Sequence, residues 1–393
     1  MRIKIIGFLK CHPRILNFFY AVFGVALNFL GLFIRKKKKI VFASYGGRKL
    51  DDSPYVLYKE ICARKEFDDY ELIWAFVDPD AHEIERGRKV KIDTPSFFMA
   101  LLSAKIWVSN TGIDRDVGIS KKRVISVETW HGCPLKKICG EEHTTSMQND
   151  KLHKGKKDAS TIRCAQSEHD LSIFARVFHA ERESFLLSDL PRNDELAGEK
   201  SVEQINEIKA KLDIPLEKKV ILYMPTYREY LMDENYNNYI KPPMTLTKWA
   251  EALKDEYVLL FRAHYAVNKA LDLKNDGFVY DVSSYPRIND LYIASDILIS
   301  DYSSAYMDYA ILERPMLCFA YDLEEYEEKR GLYLKLDEAL PCEICDNEDS
   351  LISQITNLNY AEASAKTRVF KERFAPFAGN ASKTVVDEII KRL

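Results

Sequence analysis

The chain has 393 residues, a formal net charge of -3, and apolar and charged fractions of 47% and 30%, the profile of a globular protein with room for two ordinary domains rather than of a disordered chain. The near-neutral balance excludes a general nucleic-acid binder and leaves phosphate handling to local basic clusters. Its eight cysteines are scattered, and the C-x-x-C of Cys342 and Cys345 has no second pair or nearby His to complete a zinc site, so reduced thiols in a cytosolic setting are expected.

The first element is the apolar stretch Ile15 to Ile34, with Arg2, Lys4, Lys10 and Arg14 before it and Arg35 and the run Lys36 to Lys39 after it. Its length allows a span, but basic residues on both sides disfavour crossing. No small-residue cleavage site precedes the basic cluster, which argues against a removable signal. The reading is a membrane-associating segment over residues 1–38, its basic cluster held by anionic lipid at about 1 kcal/mol per charge. A buried first helix of the adjoining domain is the competing reading.

Short apolar runs follow at Lys39 to Tyr45, Glu71 to Val77, Lys105 to Asn110, Arg123 to Glu128 and Thr161 to Ser167. Helix-length segments separate some of them, which is the rhythm of an α/β domain. A polar stretch around Leu196 to Leu212 carries a helix or connection, with a boundary near Ala210. The rhythm then restarts at Lys219 to Met224, Tyr257 to Phe261, Phe278 to Val282, Asp296 to Ser300 and Met316 to Ala320. Two parallel-sheet domains are predicted, 39–210 and 211–393, with ligands bound in the cleft beyond the carboxyl ends of their strands. The Tyr-rich stretch Asp233 to Pro243 reads as an exposed loop near that cleft.

Within the second domain, the strand Asp296 to Ser300 runs into Asp301, Ser303 and Ser304 and then into a helical pattern. Hydroxyls at a helix start favour an anion, although an ordinary N-cap explains the same residues about as well. Three further strings lie in register with this one: T-W-H-G-C-P-L-K-K (Thr129 to Lys137), Y-M-P-T-Y-R-E (Tyr223 to Glu229) and F-R-A-H (Phe261 to His264). With L-P-R-N-D (Leu190 to Asp194) and Y-D-L-E-E-Y-E-E-K-R-G-L-Y (Tyr321 to Tyr333), the chain from about Ile40 onward resembles the CDP-glycerol glycerophosphotransferases, the teichoic acid primases and polymerases.

The resemblance implies a GT-B-like fold of two Rossmann-like domains and no cofactor or catalytic metal. It implies transfer of glycerol phosphate from CDP-glycerol to an undecaprenyl-diphosphate-linked saccharide, by a peripheral protein at the cytoplasmic face of the membrane. Nucleic acid is not an expected partner, and a homo-oligomer is compatible with the sequence.

His131 is the expected general base, because it follows a strand end, precedes Gly132, and carries an imidazole whose pKa of about 6.5 suits it to take a hydroxyl proton. His264 is expected to donate to the transferring phosphoryl group or the leaving nucleotide. Arg262 shares its side of the chain if the extended period persists, so that one of the two faces the site while the other props it. Arg228 is expected to grip phosphate oxygens with its planar fork, with Thr226 as a hydroxyl donor. Lys136, with Lys137, holds acceptor phosphate or is a solvated basic turn.

Ser303 and Ser304 are expected to face the diphosphate. Asp301 and Asp308 orient a His, bind glycerol or ribose hydroxyls, or cap the helix. Glu328 and Arg330, with Glu325, lie in the segment that resembles the family's nucleotide side. The cationic and hydroxyl groups, with a helix N-terminus, are expected to supply the charge neutralisation that a metal ordinarily provides in phosphoryl transfer. The carboxylate clusters Asp51-Asp52 and Asp114 to Asp116 are read as solvated loop residues.

The primary expectation is therefore a primase that adds a first unit. CDP-ribitol as donor, or a polymerase or capsule enzyme, is the nearest alternative. A sugar-nucleotide glycosyltransferase on the same fold, with His131 as base, belongs to another class. A non-enzymatic adaptor is disfavoured because His131, Arg228, His264, Ser303 and Ser304 are all present. The departures from the family pattern are Cys133, Cys139 and Tyr265, the last standing where Pro is common.

Overall fold

Ile40 and Phe42 of the first strand, β1 (Lys37–Ala43), join one apolar cluster while Val41 and Ala43 join another on the opposite face. That alternation is what a strand covered on both faces requires, and it sets the layering of the first half. The computed structural model describes residues 13–115, 117–143, 160–228, 230–231, 242–263 and 277–393, with side chains from residue 18 onward. The expected Tyr-rich loop lies almost entirely outside the described residues.

With β1, the strands β2 (Glu71–Phe76), β3 (Arg88–Lys91), β4 (Ala104–Ser109), β5 (Ile125–Glu128), β6 (Thr161–Ala165) and β7 (Phe185–Leu187) form a seven-stranded sheet in the order β3-β2-β1-β4-β5-β6-β7. Every pairing in it is parallel. A second sheet contains β8 (Lys219–Met224), β9 (Tyr257–Phe261), β10 (Val279–Asp281), β11 (Ile297–Ser300), β12 (Met316–Phe319) and β13 (Ile344–Cys345). Its order is β10-β9-β8-β11-β12-β13, again wholly parallel. Strand order reverses direction between β1 and β4 and between β8 and β11, so each sheet has a switch point where loops diverge and a ligand crevice opens.

Three strands, β3, β7 and β13, had no counterpart in the sequence reading. Each is short and lies at the edge of its sheet; β3 consists of R-K-V-K, with a single buried Val90.

The last helix, Ala381–Lys391, does not stay with the second sheet. Val385, Val386 and Ile389 pack into the cluster of Ile40, Phe42 and Trp74, and Asp387 pairs with Arg64 at 3.0 Å. Asp194 caps it, accepting from the Ala381 and Ser382 amides at 2.7 and 2.8 Å. The expected segment 211–393 thus contributes its final helix to the core of the first sheet.

The opening helix, Pro13–Phe33, docks on the first sheet by one face. Gly24 allows the approach, since a Cβ there would sit 2.1 Å from the Val117 carbonyl oxygen. Asn28 donates to the Gly118 carbonyl at 3.0 Å and accepts from the Ser120 amide at 2.7 Å. Its other face is apolar and open, with Phe18 71%, Val25 70% and Phe33 74% exposed. Among the described residues no helix is long and apolar enough to cross a membrane.

The basic run after this helix makes local contacts with the first sheet. Lys38 pairs with Asp69, Lys39 pairs with Glu71 at 2.7 Å, and the Lys36 ammonium lies 5.8 Å from the Trp107 ring centroid, where burial pushes its pKa down to about 8. Arg35, Lys37 and Lys38 are exposed, while Lys36 and Lys39 are half-buried.

Candidate active site

The loops at the two switch points meet. On the first sheet, the Tyr45 amide donates to Asn110 Oδ1 at 2.8 Å and the Gly46 amide to Thr111 Oγ1 at 3.1 Å, which ties the loop after β1 to the loop after β4. The loop after β5 joins them through the Thr129 amide, 3.0 Å from the Ser109 carbonyl. His131 extends from this frame, its Nδ1 3.0 Å from the Asn110 carbonyl oxygen. The Trp130 ring stacks on the imidazole at 4.3 Å and 25°, and the Tyr45 ring lies 6.0 Å away on a tilt. Trp130 holds φ 55, a strained setting for a bulky side chain, and Gly132 holds φ 152, a region glycine enters freely.

Burial lowers the His131 pKa, and the nearby Arg192 charge acts in the same direction, against the opposing pull of the Asn110 carbonyl and Asp52. The ring is therefore held neutral. A carbonyl accepts only, so Nδ1 carries the proton and Nε2 keeps its lone pair.

On the second sheet, Asp301 follows β11 and organises the neighbouring loops. Its Oδ1 accepts from the Thr226 and Tyr302 amides at 2.8 and 2.7 Å, and its Oδ2 accepts from Arg228 Nη1 at 2.9 Å. Arg228 is fully buried. Its Nε and Nη2 donate to Asp322 at 2.8 and 2.7 Å, and the rings of Tyr302, Tyr326 and Tyr321 lie 4.8, 5.2 and 5.3 Å from the guanidinium carbon. The expected phosphate fork is thus a strut that binds the loops after β8, β11 and β12 together. Thr226, also buried, belongs to that knot.

Arg262 is a second strut, its Nη1 donating to the Val282 and Tyr285 carbonyls at 3.1 and 2.8 Å. Its partner in the expected pair, His264, lies outside the described residues.

Ser303 Oγ accepts from the Ala305 amide at 3.1 Å, in the turn before the short helix Ala305–Ala310, whose N-cap is Ser304. Ser304 faces the other sheet: a Cβ placed on Gly132 would lie 2.6 Å from its Oγ. The glycine beside the expected base is thus required by the approach of the second domain's hydroxyl loop.

The segment 321–333 also reaches across. Lys136 and Leu332 form an antiparallel bridge, the Lys137 amide donates to the Gly331 carbonyl at 3.0 Å, and the Tyr333 amide to the Leu135 carbonyl at 2.9 Å. The Lys136 ammonium stands 5.2 Å from the Tyr227 ring centroid. Arg330 Nη2 lies 3.6 Å from Glu142 Oε1, and the exposed Glu328 offers its carbonyl to His143. Glu328 and Arg330 therefore sit on the rim, where the two halves join.

Beneath the H-G turn is a buried charged cluster that the sequence reading missed. Arg192 Nη1 donates to Asp52 Oδ2 at 2.9 Å and to the His131 carbonyl at 3.0 Å, and Nη2 to Asp308 Oδ2 at 2.6 Å. Tyr45 Oη donates to Asp52 at 2.7 Å. Burial opposes ionisation of Asp52, but Arg192, the Tyr45 hydroxyl and the Ser53 amide outweigh it and hold the carboxylate below the usual range. Far from being a solvated loop residue, Asp52 is 7% exposed and has φ 65. The cluster offered one sequence signal, the L-P-R-N-D string that contains Arg192. Among the described residues no group of His, Cys, Asp and Glu side chains is arranged to hold a metal ion.

The family model described as CDP-glycerol:poly(glycerophosphate) glycerophosphotransferase matches residues 26–391. The chain is 34% identical over 373 residues to a teichoic acid glycerol-phosphate transferase of Staphylococcus aureus, covering 90% of this chain and 93% of that protein. It is 33% identical over 371 residues to a teichoic acid poly(glycerol phosphate) polymerase of Staphylococcus epidermidis, covering 91% of this chain but spanning only about half, 51%, of that protein. Among solved structures, the wall teichoic acid polymerase TagF superimposes with a TM-score of 0.80 at 32% identity, covering 91% of this chain and 90% of that one. The GT-B-like pair of parallel-sheet domains is shared with it. The chain belongs to the CDP-glycerol:poly(glycerophosphate) glycerophosphotransferase family.

Proposed function

We propose that the protein transfers glycerol phosphate from CDP-glycerol to a hydroxyl of a lipid-linked saccharide, releasing CMP, with His131 as general base. The observation that carries this reading is the contact of His131 Nδ1 with the Asn110 carbonyl. It leaves a neutral imidazole with Nε2 as proton acceptor, at the meeting point of two switch-point loop sets.

In the step proposed, the acceptor hydroxyl gives its proton to Nε2 as its oxygen bonds to the glycerol-bearing phosphorus. The bond from that phosphorus to the bridging oxygen breaks, and CMP departs with the electron pair. Donors aimed at the phosphoryl oxygens stabilise charge in such a transfer; the nearness of Ser304 to Gly132 supports that role for its hydroxyl. Arg228 contributes by holding Asp301 and the loops around it. Support for the donor comes from family membership and from the likeness to TagF, of which a structure soaked with CDPG superimposes with a TM-score of 0.79 at 31% identity.

We further propose that the open apolar face of the first helix, with Phe18, Val25 and Phe33, rests on the cytoplasmic face of the membrane, where a lipid-linked acceptor is presented. The test is CMP release by the full chain from CDP-glycerol and, in parallel, CDP-ribitol, with a lipid-linked disaccharide as acceptor. Product mass separates single from repeated addition, a single unit being the expected result.

A further inference from the structure

Arg192 belongs to the turn Pro191–Leu196, in the connection between the two sheets. Both its backbone and its side chain are held from opposite halves. Its amide donates to Ser53 Oγ at 3.3 Å, and its carbonyl accepts from Asn289 Nδ2 at 2.7 Å. Its side chain is 12% exposed and bridges two carboxylates that are nearly buried, Asp52 at 4% and Asp308 at 6%. Asn193 adds a second tie, donating to Asp308 Oδ1 at 2.9 Å.

The fork has a directional feature that charge alone does not need: the same Nη1 that pairs with Asp52 also donates to the His131 carbonyl. A Cβ on Gly132 would lie 3.7 Å from Arg192 Nη2 as well as 2.6 Å from Ser304 Oγ. Base, fork and hydroxyl loop are thus in contact at one point. We propose that Arg192 is a positioning residue for the transfer, a planar clamp that sets the register of His131 on the first sheet against the Ser303–Ser304 loop, which leads into the helix carrying Asp308.

A buried ion cluster is weak evidence of stability in itself, since apolar packing does as well. What the guanidinium supplies is a fixed geometry to three acceptors at once, which an ammonium does not reproduce. The inference rests on the proposed transferase reading for its kinetic consequence, but the register itself is a structural property.

The experiment compares full-length wild type with R192Q, R192K and D308N, each also combined with H131A. Displacing reacting groups by an ångström costs on the order of 100-fold in rate. Loss on that scale is expected in kcat for R192Q, with KM for CDP-glycerol within about threefold, and R192K should recover only part of the rate. On the H131A background R192Q should add little further loss, as expected of residues that act as a unit.

Hydrogen exchange provides a readout independent of turnover. In R192Q, the amides of residues 131–133, 135 and 301–308 should exchange faster, while those of β1, β4, β8 and β11 keep their protection. Wild-type kcat in R192Q, a rise confined to KM, losses that add fully to those of H131A, or unchanged exchange in both loops would each overturn the proposal. If R192Q does not fold, D308N decides on the same criteria, and D308N with wild-type kcat and exchange would overturn it. A wild type that releases no CMP with either donor counts against the transferase reading, while the exchange comparison still decides the role of the clamp.

Discussion

His131 Nδ1 donates to the main-chain carbonyl of Asn110 across 3.0 Å, so a backbone atom, not a carboxylate, fixes the tautomer of the proposed base. Burial then keeps the imidazole pKa below its ordinary 6.5. Only the neutral ring accepts a proton, so activity should hold as pH falls through 6.5 and be lost only below it. The acid limb of kcat/KM measured with CDP-glycerol is expected to have its midpoint below 6.5. A midpoint above 6.5 would mean that His131 is not the titrating base.

Gly132→Ala should both destabilise and slow the protein. Its φ of 152 disfavours any side chain, and the added methyl meets Ser304 Oγ at 2.6 Å. A strained backbone position of this kind costs about 1–3 kcal/mol, measurable by denaturant unfolding. The rate should fall through kcat, because the methyl wedges the base away from the hydroxyl loop.

Arg228→Met distinguishes a strut from a phosphate ligand. Removing the guanidinium leaves Asp301 buried without its cation, and breaking such a pair costs about 3–5 kcal/mol. Chemical denaturation should show that loss. Unchanged stability with a raised KM for CDP-glycerol would restore the phosphate-binding role expected from the sequence.

Asp189→Asn tests the buried polar ground under the cluster. Burial, with the neighbouring Asp308 charge adding to it, pushes the Asp189 carboxyl up to about 7 from 3.8. The native state therefore keeps a proton that the unfolded chain has lost, and stability falls as pH rises between those two values. The slope is about 1.4 kcal/mol per pH unit at its steepest. Asn removes the titration and tolerates the residue's φ of 66, so its stability advantage over wild type should grow from pH 5 to pH 8 in parallel urea titrations. A constant difference would show that Asp189 is ionised throughout.

Much of the architecture was legible because parallel strands buried on both faces are continuous apolar runs, as in K-V-I-L-Y-M and Y-V-L-L-F. The edge strand β3 escaped notice since solvent on one side lets it be R-K-V-K. The return of Val385 and Val386 to the first sheet was hidden because an amphipathic helix does not name the surface it covers. At the site, His131 could be read from a strand end followed by glycine and from the family string.

The roles of Arg228 and Asp52 could not be read, because a phosphate-binding arginine and a buried ion-paired one have the same spelling. Their difference lies in Asp301, Asp322 and Arg192, which approach only in three dimensions. Arg192 itself sits in a connection, where the sequence shows a turn but not the two carboxylates it joins.

The most direct test of the account is acceptor-dependent CMP release from CDP-glycerol by the full chain, with H131A alongside. General-base removal is worth about 10²–10⁴-fold, so wild type should release CMP only with acceptor present, and H131A should lose at least the lower figure while remaining folded. CMP release by H131A at the wild-type rate, or a folded wild type silent with this donor, would contradict it.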